Sequence, residues 1–142
     1  MFTALALESL LTGLLLVTAG RATAADAPDD WTARALHAIN QVRLQQGQRE
    51  LQWASSLQSI ALGHSQDMAR GRQLTHAGFQ ARFDRTTSLL CVENVAAGTT
   101  SPSTLVAAWS RAPVHRRNLH EPRVRTAGIA EVQGYVTLFA CE

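Results

Sequence analysis

Lysine is absent from this chain of 142 residues, so all 13 of its basic groups are arginine guanidiniums. Five of them, Arg111, Arg116, Arg117, Arg123 and Arg125, crowd into one stretch near the end. No aromatic residues alternate with them as base-stacking platforms would, Glu121 sits among them, and the whole-chain excess is only +2. The pattern is that of a solvated basic face rather than a nucleic-acid surface. Local catalytic spacings are missing too. There is no Gly-x-Ser-x-Gly elbow, His-x-x-x-His pair or Cys-x-x-Cys pair, which removes the usual signatures of a serine nucleophile or a locally encoded metal site. Charged residues make up only 17% and apolar residues 46%, which excludes a disordered or fibrous chain.

What is present is enough for one domain with a respectable core. Residues 4 to 19 are almost all apolar or small, and Ala22-Thr23-Ala24 has the small-residue pattern of a cleavage site, so residues 1–24 read as a secretory signal peptide. No basic residue precedes the run and Glu8 interrupts it. An uncleaved amphipathic anchor is the alternative, while a stable span is disfavoured by a charge costing about 2.5 kcal/mol in the hydrocarbon core. Residues 25–30 form an acidic linker and residues 31–142 the domain. In a secreted or periplasmic setting the two cysteines, Cys91 and Cys141, favour a disulfide, with a pair of buried thiols as the rival. Such a bridge would close a loop of about 50 residues and contribute on the order of 4 kcal/mol.

Along the domain, Trp31, Ala35, Leu36, Ile39 and Val42 recur at helical spacing after a cap at Asp29 or Asp30, and Gly47 stops the helix. Ser55 and Gln58 have capping-box spacing ahead of a second helix carrying Leu57, Ile60, Ala61, His64 and Met68 on one face. His64 there reads as a hydrogen-bonded packing residue. Periodicity fails from Arg72 to Leu90 except for one helical turn at Phe79 to Asp84. Leu89 to Ala96 is strand-like, with Glu93 and Asn94 lining something polar. Ser103 begins a third helix that Pro113 ends, leaving His115 on a turn. Strands at Arg125–Val132 and Tyr135–Cys141 are joined by Gln133-Gly134. Helices first and strands after predict an α+β fold. Asn94 and Asn118 read as caps for loose backbone groups, and Trp53 and Trp109 as core anchors.

Several of these strings together carry a resemblance. Ala38-Ile39-Asn40-Gln41-Val42-Arg43, Leu51-Gln52-Trp53, His64 to Ala69, Thr75-His76, Glu93-Asn94-Val95-Ala96-Ala97-Gly98, Trp109, His115-Arg116-Arg117-Asn118-Leu119 and Gly128-Ile129-Ala130 appear in order over residues 34 to 140. The set resembles the CAP superfamily of cysteine-rich secretory, antigen 5 and pathogenesis-related 1 proteins, the SCP domain, in its short bacterial form. That resemblance implies a three-layer α-β-α sandwich with a small antiparallel central sheet. It also implies a cleft in which His76, Glu93 and His115 converge. A second acidic cleft residue, usual soon after the tryptophan, is replaced by Ser110, Arg111 and Ala112, and Val114 stands where a glycine often precedes the histidine.

Two imidazoles and a carboxylate are a donor set that holds zinc or another divalent cation and leaves a position for water. The rival is that Glu93 simply hydrogen-bonds both histidines, which is the arrangement expected for the resting protein. Two functions follow. The first is a secreted, monomeric, non-catalytic binding or interaction module, for which the resemblance implies a lipid, small-molecule or cell-envelope ligand. The second is a zinc-dependent esterase or peptidase, with His76, Glu93 and His115 as metal ligands or Glu93 as general base. The missing second carboxylate counts against it. Ser110, at a helix end without an orienting partner, is a poor nucleophile.

Overall fold

The computed structural model describes residues 27–98 and 101–142; the expected signal peptide, Ala25 and Asp26 of the linker, and Thr99-Thr100 of the turn cluster lie outside the described residues. Asp29 caps α1 (Asp30–Gln45) by accepting from the Thr32 amide. The chain continues through β1 (Gln52–Trp53), α2 (Ser55–Gly71), a single turn α3 (Phe79–Phe83), β2 (Cys91–Ala97), α4 (Pro102–Arg111), α5 (Pro113–Leu119), β3 (Thr126–Val132) and β4 (Tyr135–Cys141). Among the described residues, no helix is long and apolar enough to cross a membrane.

The strand order is β1-β3-β4-β2. The three long strands pair antiparallel, as expected, and the two-residue β1, which no sequence pattern announces, adds a parallel edge beside β3. Alternation along the strands builds two cores, one on each face. Ala127, Ile129, Val136, Leu138 and Ala140 pack with Ile39, Leu105, Trp109 and Leu119 of α1, α4 and α5. On the other face Ala130, Phe139 and Cys141 pack with Leu57, Ile60 and Ala61 of α2, and Phe79 of α3 leans on Phe139. The result is the three-layer sandwich. Cys91 and Cys141 face each other across β2 and β4 and are bonded, tying the edge strand to the C-terminal strand. The β3–β4 turn takes positive φ at both Gln133 (51°) and Gly134 (84°), the primed geometry that suits the twist of a two-residue hairpin.

Both sheet edges are finished by side chains. Past the end of β1, the exposed-edge amide of Ile129 donates to Gln58 and its carbonyl accepts from Thr32. On β2 the outward carbonyls of Glu93 and Val95 accept from Asn118 and from the Trp109 indole. These contacts consume groups that would otherwise template another strand. They also explain why Ser55 and Gln58 do not form a capping box. Ala54 is the N-cap of α2 without a side-chain bond, and Gln58 turns instead to Ile129, Trp53 and Thr32. Trp53 is accordingly half-buried rather than a core anchor, whereas Trp109 is fully inside. At α4 the cap is Ser101 rather than Ser103, with Pro102 in the first turn. Pro113 both ends α4 and opens α5, so His115 lies on a helix and not on a turn; proline suits a first helical position because its missing N–H is not needed there.

Arg43, in the last turn of α1, is wholly buried (0% exposed). Its guanidinium donates to the carbonyls of Arg49, Leu119, Glu121 and Val124 at 2.8–3.4 Å. Burial first, then Arg125, lowers its pKa from the ordinary arginine value. The group thus serves as a cationic hub for loop carbonyls, fastening the end of α5 to α1.

Gly128 sits where α2 crosses the sheet, and a Cβ there would overlap the backbone of Leu57 and Gln58. Gly128→Ala should therefore lower stability by roughly 2–3 kcal/mol in denaturant unfolding. Gly63→Ala, on α2 with open space around it, should be neutral or stabilising by up to about 1 kcal/mol. Equal effects of the two substitutions would contradict this packing account.

Candidate functional site

Glu93 lies in the middle of β2 on the face turned to α2 and α3, opposite Phe139 in the register. Its side chain is 1% exposed. A carboxylate so placed must be neutralised or fully hydrogen-bonded, because unpaired burial costs several kcal/mol. The permanent charge comes from Arg82 of α3. Its Nε donates to Oε2 and its Nη2 to Oε1, both at 2.8 Å, a bidentate pair. The same guanidinium donates to the carbonyls of Ala77 (2.9 Å) and His76 (3.3 Å), clipping the 76–78 segment over the carboxylate. Gly78 makes room: its φ is +78°, and a Cβ there would come to 3.2 Å from Nη1 of Arg82.

His76 adds its Nδ1 at 2.9 Å from Oε1 of Glu93 and remains about half exposed, at 53% of its side chain. His64 is buried behind them on α2. Its Nε2 donates to the Thr75 carbonyl at 2.8 Å and stands 3.9 Å from Oε1 of Glu93. The packing role expected for His64 therefore holds, and it is in addition the inner wall of the carboxylate site.

The two members of the expected cleft that touch are thus His76 and Glu93. Among the described residues no side-chain hydrogen bond or ion pair links His115 to either; it lies on α5, within electrostatic reach of His76, with its ring edge-on to Trp109 at 6.3 Å between centroids. It faces a hollow of about 400 Å3 lined by Leu74, Ala96, Leu105, Ala108 and Trp109, largely apolar. Asn94 and Asn118 hold this arrangement. Asn94 donates to the His115 carbonyl, and Asn118 donates to the Glu93 carbonyl and to Asn94 Oδ1. Ser110 turns its hydroxyl back onto the Val106 carbonyl within α4 and points at no histidine.

Arg82 is the residue that sequence reasoning missed. It sits in an aperiodic stretch, eleven residues from its partner on another element, and only its place between Phe79 and Phe83 on the one helical turn marks it. With it in position both oxygens of Glu93 are engaged. Among the described residues no three His, Cys, Asp or Glu side chains stand together as metal ligands would. As arranged, the donor set does not fit a divalent ion.

Burial lowers the pKa of three histidines from the ordinary 6.5. It is the leading cause for His64, ahead of the opposing Thr75 bond; for His115, reinforced by His76; and for His120, reinforced by Arg116 and Arg43. The unfolded chain therefore takes up protons first as pH falls through 6.5, and stability present above that pH is lost on the way down to the folded values. Thermal unfolding should show Tm falling from about pH 7 to pH 5; a flat or rising Tm over that window would contradict the burial of these rings.

Comparison with known proteins places this geometry. The model of the cysteine-rich secretory protein family, CAP, matches residues 36–141. Among solved structures, an extracellular protein containing a SCP domain from Bacillus anthracis superposes with a TM-score of 0.75 at 21% identity, covering 79% of this chain and 40% of that one. A cysteine-rich secretory protein from Staphylococcus aureus gives 0.68 at 21% identity, covering 81% and 40%. An outer surface protein from Borrelia burgdorferi gives 0.65 at 21% identity, covering 75% and 89%. This chain spans about two fifths of the length of the first two. A search of curated proteins found no match. With the family match running from α1 to the last strand and the sandwich shared with these structures, the chain belongs to the CAP, or cysteine-rich secretory protein, family.

Proposed function

We propose that this is a secreted or periplasmic CAP domain acting as a monomeric, non-catalytic ligand-binding or interaction module. Its cleft runs past His76, Glu93 and His115, and its ligand is of a lipid, small-molecule or cell-envelope kind. One observation carries the non-catalytic part: the carboxylate a hydrolase would use as base or metal ligand has both oxygens engaged by Arg82 and His76 and is buried from solvent. A general base must reach the proton it abstracts, and the Glu93 side chain is only 1% exposed with a bond on each oxygen. A hollow lies beside His115, where the walls are mostly apolar and Thr104 and the imidazole, whose pKa burial lowers, supply polarity. Such a hollow suits an apolar body with one hydrogen-bonding group. The extracellular and outer-surface nature of the structural neighbours supports export, as does the signal-like sequence at residues 1–24.

The purified protein should hydrolyse ester and peptide substrates at no more than the background rate, with or without added zinc, and Glu93→Gln should not change that. Decanoate, titrated as a simple acyl probe, should perturb tryptophan fluorescence, and Ala108→Trp, which fills the hollow, should weaken its binding by about tenfold or more, equivalent to about 1.4 kcal/mol. Zinc-dependent turnover that disappears in Glu93→Gln would overturn the non-catalytic reading. Unchanged decanoate binding in Ala108→Trp would overturn the placement of the ligand.

A further inference from the structure

We infer that Arg82 is the resident cation of this cleft: its guanidinium occupies the carboxylate position that a divalent ion would need, so the site is specific for a planar guanidinium and selects against metal ions. This goes beyond the binding-module reading and does not rest on it, since the cleft could carry its own cation whatever ligand binds beside His115.

Three observations converge. First, the geometry is that of a fork meeting a carboxylate, with Nε and Nη2 each 2.8 Å from a different oxygen of Glu93. A metal ion or an ammonium has no such pair of directed donors. Second, two of the three remaining N–H groups donate to the carbonyls of His76 and Ala77. The guanidinium therefore bridges the strand and the 76–78 segment, and its side chain is only 11% exposed. Third, the surroundings are shaped for it. Gly78 leaves space beside Nη1, and burial lowers the pKa of His64, which makes it a poorer source of positive charge than a guanidinium.

Removal of this side chain leaves a buried carboxylate facing a planar void. That void is reachable, because Arg82 also walls a hollow of about 380 Å3 that opens between α2 and the 73–85 segment, beside His64, Thr75 and Gly78. A small free guanidinium can enter and remake the same bonds, stabilising the folded state by mass action.

Thermal unfolding of Arg82→Ala at neutral pH is the test. Its Tm should fall by about 10 °C or more. Methylguanidinium at 1–50 mM, well below denaturing strength, should then raise it saturably, while sodium chloride, tetramethylammonium and zinc at matched concentrations should not. The same additive should leave the wild-type Tm unchanged. A wild-type Tm in Arg82→Ala, or equal recovery with every cation, would overturn the inference. So would zinc raising the wild-type Tm in a manner abolished by Glu93→Gln. Should Arg82→Ala not fold, Arg82→Lys and Arg82→Met decide. Lysine restores charge without the fork and should recover part of the loss, whereas methionine, similar in length but uncharged, should not; equal recovery by both would mean that Arg82 acts by packing alone.

Discussion

A carboxylate buried in the middle of an edge strand is the constraint around which this cleft is arranged. Glu93 stands on β2 with 1% of its side chain exposed, and that placement is tolerable only because a permanent cation meets both of its oxygens. The requirement explains the irregular segment between α2 and β2. Arg82 has to arrive from a turn of helix, and α3 supplies it. The backbone at 76–78 has to pass close over the guanidinium, and Gly78 in the left-handed region allows it. His76 then closes the outside and His64 the inside. What looks in sequence like a loop without periodicity is a strap fitted to one negative charge.

The opposite end of the molecule repeats the logic with the sign reversed. Arg43 is buried and its hydrogen bonds go to four backbone carbonyls, with the Glu121 carboxylate acting on it only electrostatically. Those carbonyls belong to the loop after α1 and to the segment from Leu119 to Val124, so the hub fixes where α5 ends. Asn94 and Asn118 fix it from the other side. The backbone of His115 is thereby tied to β2, and the two halves of the cleft have different characters. One is charged around a buried carboxylate; the other is largely apolar.

The layers of the fold were legible because their signals are local or cumulative. Ala35 and Ile39 mark the buried face of α1, Gln133-Gly134 marks the hairpin, and Gly47 marks the end of α1. The sandwich itself came from motifs in register, which no single periodicity supplies. The misses share a cause: they depend on partners far away in sequence. Gln58 has capping-box spacing, yet Ile129 on β3 competes for it and wins. Arg43 falls at i+4 from Ile39 and i+8 from Ala35, a signal that it was buried, but a basic residue in a last turn ordinarily points to solvent. Arg82 carried no pattern, and without it Glu93 read as the hydrogen-bonding partner of two histidines, with a metal as the rival. His76 and Glu93 are hydrogen-bonded, and His115 sits on α5, which Pro113 concealed by looking like a stop.

The pairing of Arg82 with Glu93 is best tested by a double-mutant cycle on unfolding free energy, using Arg82→Ala, Glu93→Gln and the double variant in denaturant titrations. Removing one partner leaves a buried group uncompensated, whereas removing both leaves a neutral amide that the histidines can still satisfy. The account predicts that the double variant is more stable than Arg82→Ala alone, with a coupling above ~1.5 kcal/mol. Effects that add to within ~0.5 kcal/mol would contradict it.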